Sequence, residues 1–243
     1  MAILAFFVSL GLTGIVSPGD LTARSHSAHA SVITVDGVIQ STSAKFLSRA
    51  IDNANENGSA FLIVQLNTPG GLLDSTRQMV EAIMSSPIPI VVYVAPQGGQ
   101  AASAGTFILA AGHVATMAPS TNVGAASPIS GTGEDLPETL RSKMTEDAAA
   151  FLRSIAEERS RNPTALEQTV LNAKSYTAVE ALELGIIEFI ATDVPDLLKQ
   201  LDGHKTRLGA QEISLTTDHL STLTIGKTPL EHFLGFLASP NIA

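Results

Sequence analysis

Ser103 stands among small residues, in Gln100-Ala101-Ala102-Ser103-Ala104-Gly105-Thr106-Phe107. Small flanking residues permit a sharp strand-to-helix turn and close approach of a ligand to the backbone. The N–H groups at such a helix start favour developing negative charge. A serine so placed can act as a nucleophile, with the Ala104 amide as half of an oxyanion hole. The same small-residue helix start also serves purely structural ends, so two other segments decide how to read it. The first is Leu66-Asn67-Thr68-Pro69-Gly70-Gly71-Leu72-Leu73. A Pro-Gly-Gly turn after a buried strand exposes backbone N–H groups without side-chain hindrance, so Gly70 or Gly71 can complete the oxyanion hole.

The second segment must supply a base. Of the six histidines, His26 and His29 precede the first strand, and His204, His219 and His232 fall in the C-terminal tail. His113 follows Ala111-Gly112 and reads as a helix-end residue. A Ser–His–Asp triad therefore has little support. Lys143, in Leu140-Arg141-Ser142-Lys143-Met144, is the alternative. A lysine accepts a proton only when neutral, which calls for burial or neighbouring positive charge. Leu140, Met144 and Phe151 are placed to bury it, whereas Asp147, one helical turn on, would oppose that role if the two paired. A solvated surface lysine is the competing reading.

The elements that must position these residues follow from hydrophobic periodicity. Val32–Val35, Ala60–Leu66 and Pro89–Val94 are nearly continuous apolar runs, as expected of strands covered on both faces. Between them, Ser43–Asn57 and Leu73–Ser86 carry apolar residues at helical spacing. Alternating strands and helices predict an α/β fold with a mainly parallel sheet. Ligands then bind at strand C-termini, where both the Gly70–Gly71 turn and Ser103 fall. His113–Met117 reads as a short strand and Glu138–Arg161 as a long helix. Ala165–Ala173, Thr177–Leu184 and Val194–Leu201 read as shorter helices, and Ile186–Ala191 as a strand. Ser127–Leu136 is turn-rich and reads as a mobile lid, and Gly203–Gly226 as an edge hairpin or an extended linker.

The chain has 243 residues, no cysteine and a formal charge of −9. Disulfide and thiolate chemistry are excluded, and the acidic balance lacks the footprint of a nucleic-acid partner. Ile3–Val16 is apolar but short for a membrane span, and Ala28-His29-Ala30 before Ser31 matches a secretory cleavage pattern. Residues 1–30 are read as a signal peptide or an N-terminal anchor, which places the folded part outside the cytoplasm. Residues 31–202 form the candidate catalytic domain. Residues 203–243 read as an extension leading to a membrane region beyond this sequence.

Together, Asn-Thr-Pro-Gly-Gly-Leu-Leu, Gln-Ala-Ala-Ser-Ala-Gly-Thr-Phe, Met-Ala-Pro-Ser-Thr-Asn-Val-Gly-Ala-Ala and Lys143 resemble the NfeD family of membrane-bound, Clp-class serine proteases. The resemblance runs from about Val32 to Leu201, including Leu182-Glu183-Leu184-Gly185-Ile186-Ile187. It implies a Clp protease/crotonase-like fold, Ser103 as nucleophile, Lys143 as general base and oxyanion contacts from the Gly70–Gly71 turn. No metal or cofactor is implied. In soluble Clp peptidases the base is a histidine near Ala126-Ser127-Pro128, where this chain has none, which favours a serine–lysine dyad. The family also suggests stomatin-like membrane proteins as substrates, cut in apolar segments, and self-association into a homodimer or higher homo-oligomer is expected. Three rivals remain: an acyl-CoA enzyme of crotonase type, a Ser–Lys signal-peptide peptidase, and a non-catalytic membrane scaffold of the same fold.

Overall fold

The computed structural model describes residues 29–129 and 137–237. In chain order they form β1 (His29–Asp36), α1 (Ser41–Glu56), β2 (Leu62–Asn67), α2 (Leu73–Met84), β3 (Ile90–Val94), β4 (Gln100–Ala102) and α3 (Ala104–Ala111). There follow β5 (Val114–Met117), β6 (Asn122–Gly124), α4 (Glu138–Glu158), α5 (Pro163–Leu171), β7 (Ser175–Thr177), α6 (Ala178–Glu183) and β8 (Phe189–Ile190). The last elements are α7 (Val194–Leu201), β9 (Lys205–Leu208), β10 (Gln211–Ser214), β11 (Ser221–Thr224) and α8 (Pro229–Leu237).

Six strands make one parallel sheet in the order β11-β1-β2-β3-β5-β8. Side chains alternate across a strand, so each apolar run feeds two cores. Ile33, Val64 and Val92 point to a large core shared with α1, α2, α3, α4 and α5. Val32, Ile63, Val91 and Tyr93 point to a smaller one closed by Leu197 and Leu201 of α7 and by Leu215. The buried Tyr93 hydroxyl is satisfied by the Ala191 carbonyl at 2.8 Å. The α/β class and the doubly covered sheet are as the sequence predicts.

A second, three-stranded sheet (β4-β6-β7) projects from the C-terminal end of β2, with β4–β6 parallel and β6–β7 antiparallel. Strands of three residues carry no readable period, and the sequence gives no sign of them. The C-terminal region also differs from a simple extension. β9 and β10 form the expected hairpin, but β11 then joins the main sheet beside β1. Farther on, α8 is tied to α1 by a two-pronged Arg49–Glu231 pair at 2.8 and 2.7 Å. At the other end, the boundary drawn between Ala30 and Ser31 falls inside β1, where Ala30 is fully buried and the His29 carbonyl accepts the Ala60 N–H. The apolar run Ile3–Val16 and positions 130–136 of the expected lid lie outside the described residues. No helix among the described residues is long and apolar enough to cross a membrane.

Candidate active site

The C-terminal end of β2 builds the site. Asn67 Oδ1 accepts the Gln100 N–H at 3.0 Å, while its Nδ2 donates to Asp36 Oδ1 at 2.9 Å. Thr68 donates its N–H to the Gln100 carbonyl and accepts the Ala102 N–H, at 2.7 and 3.0 Å. β4 is thereby laid along the end of β2, and the next residue is Ser103. That serine caps α3 with φ 50° and ψ −111°, a left-handed conformation costing a non-glycine residue about 1–3 kcal/mol. Hydrogen bonds on either side hold it. Its own N–H donates to the Gly124 carbonyl at 2.8 Å, and its carbonyl accepts the Thr106 N–H at 3.0 Å. The buried Thr106 hydroxyl lies 3.1 Å from both the Ala101 and the Gly124 carbonyl.

The glycine turn presses against this elbow. A Cβ on Gly70 would come 2.9 Å from Ser103 Cβ and 3.3 Å from its Oγ, and Gly70 has φ 127°. A Cβ on Gly71 would meet the Ile39 carbonyl oxygen at 2.1 Å, because the Ile39 N–H donates to the Gly70 carbonyl and the Ile39 carbonyl accepts the Leu72 N–H on either side of this point. The amides of the turn are not equivalent. Gly70 donates its N–H to Thr68 Oγ1 at 3.1 Å. The N–H groups of Gly71 and Ala104 have no acceptor among the described residues. Of the three sequence candidates, Gly71 and Ala104 therefore have free donors, and Gly70 supplies the space in which Ser103 sits.

The two candidate bases fare differently. His113 is buried at the far end of α3, a helix whose eight residues span about 12 Å at 1.5 Å each. Its Nδ1 accepts the Ile90 N–H at 3.1 Å. Burial, then the charges of Arg159 and Arg161, lower its pKa to about 3. It sits at the helix end, as its position after Ala111-Gly112 suggests. Lys143 is exposed on the second turn of α4 and makes no hydrogen bond or ion pair among the described residues. The burial expected from its neighbours is not present in this chain alone: Leu140 is exposed, while Met144 and Phe151 are half-buried. Asp147 does not pair with Lys143. It accepts from Arg77 at 2.5 Å, and the Arg77 guanidinium lies 4.3 Å from the Phe151 ring centre. Phe151 in turn stacks on Phe107 of α3 at 5.8 Å, so α4 is docked on the helix that carries Ser103.

Around the turn lie apolar side chains that a soluble surface does not need. Val38 is 40 % exposed, Leu72 58 % and Leu73 44 %. Sequence patterning did not single them out, because Leu73 opens the helix read over Leu73–Ser86 and Val38 follows the Asp36-Gly37 turn signal. The pairing of Ile39 with Gly71 is what sets Val38 beside them.

A parallel α/β sheet with a strained serine at a strand-to-helix elbow, facing a glycine turn with free amides, is the architecture of ClpP-like proteins. The NfeD1b N-terminal domain family matches residues 29–210, and the chain belongs to that family. It is similar to the membrane-bound protease PH1510 of Pyrococcus horikoshii, 33 % identical over 216 residues covering 87 % of this chain and 49 % of that protein. It is also similar to membrane protein NfeD1b of Bacillus subtilis, 30 % identical over 221 residues covering 85 % of this chain and 48 % of that one. The chain thus spans about half the length of these curated relatives. Among solved structures it resembles the 1510-N membrane-bound stomatin-specific protease. A lysine-to-alanine mutant with a substrate peptide superposes with TM-score 0.81 at 31 % identity, covering 87 % of this chain and 98 % of that one. A serine-to-alanine mutant gives 0.76 at 32 % identity, covering 83 % and 99 %.

Proposed function

We propose that this chain is a serine endopeptidase domain that cuts apolar segments of stomatin-like, membrane-associated proteins. The observation that carries this reading is the Ser103 elbow, held in a strained conformation against a glycine turn with free amides at Gly71 and Ala104. Ser103 Oγ attacks the scissile carbonyl as neutral Lys143 Nζ takes its proton. The tetrahedral oxyanion is held by the Gly71 and Ala104 N–H groups. Collapse gives an acyl-Ser103 and an amine that receives the proton back from Lys143. Water then repeats the cycle, with Lys143 again taking the proton, and frees the acid.

Two features of the comparisons support the dyad. In the P. horikoshii protease structures a serine and a lysine have been replaced, and they are separated by one residue more than Ser103 and Lys143. The exposed start of α4 explains why Lys143 is not yet in place: an apolar peptide, or a second copy in a homo-oligomer, would bury Leu140 and the lysine with it. Val38, Leu72 and Leu73 give an apolar substrate its footing next to the oxyanion amides. Anchoring to a membrane through a part outside this sequence, with the domain on the extracytoplasmic side, completes the proposal.

A non-catalytic scaffold is favoured by one observation, the lack of contact between Lys143 and Ser103. Fluorophosphonate labelling and cleavage of an apolar peptide separate the two. Wild type should react at Ser103 and turn over, and Ser103→Ala should do neither. Lys143→Ala and Lys143→Arg should fold normally yet lose about 10²–10⁴ in rate. The double variant should be scarcely worse, since the two residues act as a unit. Full turnover by Lys143→Ala would remove the dyad, and an unlabelled wild type would leave the scaffold.

A further inference from the structure

A polar cluster remote from Ser103 has no part in the peptidase reading. At the opposite end of α3, a cavity of about 240 Å³ opens between the C-terminus of α4, the start of β5 and strand β9. His113 lines it and is 5 % exposed. Because His113 Nδ1 accepts the Ile90 N–H, that nitrogen carries the lone pair. A neutral imidazole has one bare and one protonated nitrogen, so the proton is on Nε2. Arg159 Nη2 lies 3.4 Å from that Nε2, and a guanidinium only donates. Two N–H donors therefore converge with no acceptor between them among the described residues.

The surrounding charges do not fill the gap. Glu188 Oε2 accepts from Arg161 at 2.9 Å and from the Ala115 N–H at 2.5 Å, and the carboxylate makes no ion pair with Arg159. Glu158 lies 3.9 Å from Arg207, and Lys205 faces Glu212 at 2.9 Å. Arg159 spends its Nε on the Ala111 carbonyl at 2.8 Å and has no carboxylate within ion-pair distance among the described residues. Burial, then the nearby Arg161, pull its pKa down to about 10, against the opposing charges of Glu158 and Glu188. His204, the remaining titratable group lining the cavity, packs edge-on against Phe189 at 4.9 Å.

We propose that this cavity binds a small oxyanion, a phosphate group or a carboxylate, held by His113 Nε2–H and Arg159 and flanked by Arg207 and Lys205. The volume exceeds the roughly 30 Å³ share of one water several-fold, which leaves room for such a group. An anion there would accept from both donors at once, as charge-assisted hydrogen bonds.

Long-range ¹H–¹⁵N NMR of the histidine rings tests this on the full chain, with inorganic phosphate and acetate titrated separately at constant ionic strength. The His113 ring should show the Nε2–H tautomer and a saturable shift with one or both anions, which also distinguishes the phosphate from the carboxylate source. Arg159→Met should abolish the shift. Arg207→Gln, at an exposed hairpin position whose loss leaves the fold intact, should raise the half-saturation point several-fold. Three results would overturn the site: an Nδ1–H tautomer, no saturable shift with either anion (water alone as occupant), or equal shifts in wild type and both variants. The readout involves no turnover and so stands apart from the peptidase test.

Discussion

Replacing His113 by asparagine separates a structural histidine from a catalytic one. Asn can offer its Oδ1 where Nδ1 now accepts the Ile90 N–H, but it cannot titrate. In the folded chain the His113 pKa is lowered from 6.5 to about 3. A base with a depressed folded pKa binds its proton more readily in the unfolded state. Stability is therefore whole above the unfolded value and falls as pH drops from 6.5 toward 3. Between about pH 7.5 and about pH 5 the loss is 1.36 kcal/mol for each unit below 6.5, or roughly 2 kcal/mol. That figure depends on the unfolded pKa and hardly on the folded one, provided the latter stays below about 4. Urea unfolding of wild type and His113→Asn at the two pH values, in buffers free of multivalent anions, measures it. Acid-sensitive carboxylates contribute equally to both proteins and cancel in the difference. The variant should be less stable at neutral pH yet lose roughly 2 kcal/mol less on acidification, and it should keep peptide turnover. Equal acid sensitivity would refute the buried neutral imidazole, and loss of turnover in a folded variant would return the histidine to the mechanism.

Three other outcomes follow from the geometry. Ser103→Gly should be more stable than Ser103→Ala by about 1 kcal/mol in denaturant unfolding, because glycine adopts φ 50° without strain, while both are unreactive. Gly70→Ala should cost at least about 1–3 kcal/mol, since φ 127° and a contact 2.9 Å from Ser103 Cβ both oppose the methyl. It should also abolish fluorophosphonate labelling although the serine is retained. Glu231→Gln should loosen α8, seen as faster amide exchange there. Arg49 holds this carboxyl down to about 2 from its usual 4.5, so the tie is present above that range and released in wild type as pH falls toward 2.

Elements that announce themselves by period were legible in the sequence. Ala60–Leu66 and Pro89–Val94 foretold β2 and β3 because strands covered on both faces must be apolar throughout, and Val194–Leu201 matches α7 to the residue. The Gly70–Gly71 turn and Ser103 were placed at strand ends and lie there. What stayed hidden depends on distant partners. β11 pairs with β1 across nearly two hundred residues, and no local pattern records that. The β4-β6-β7 sheet is set by Thr68 and Gly124 rather than by hydrophobicity. The sequence boundary at Ala30 carries no strand signal of its own, and β1 begins at His29. Charge partners were equally opaque: Asp147, one turn from Lys143, is claimed by Arg77 from α2.

The strain at Ser103 weighs on the choice between enzyme and scaffold. A serine in ordinary helical or extended backbone would close the β4–α3 corner at no conformational cost, and a glycine would close this one more cheaply. Instead the chain holds a side-chain-bearing residue at φ 50°, ψ −111°, at about 1–3 kcal/mol. The Ser103 N–H bond to Gly124 and the Thr106 bonds offset that cost at about 1 kcal/mol each. Among the described residues neither the Ala104 amide nor the Gly71 amide has an acceptor. Free donors on both sides of a strained hydroxyl give nothing to folding. In the proposed peptidase they acquire a use when a carbonyl oxygen gains charge between them.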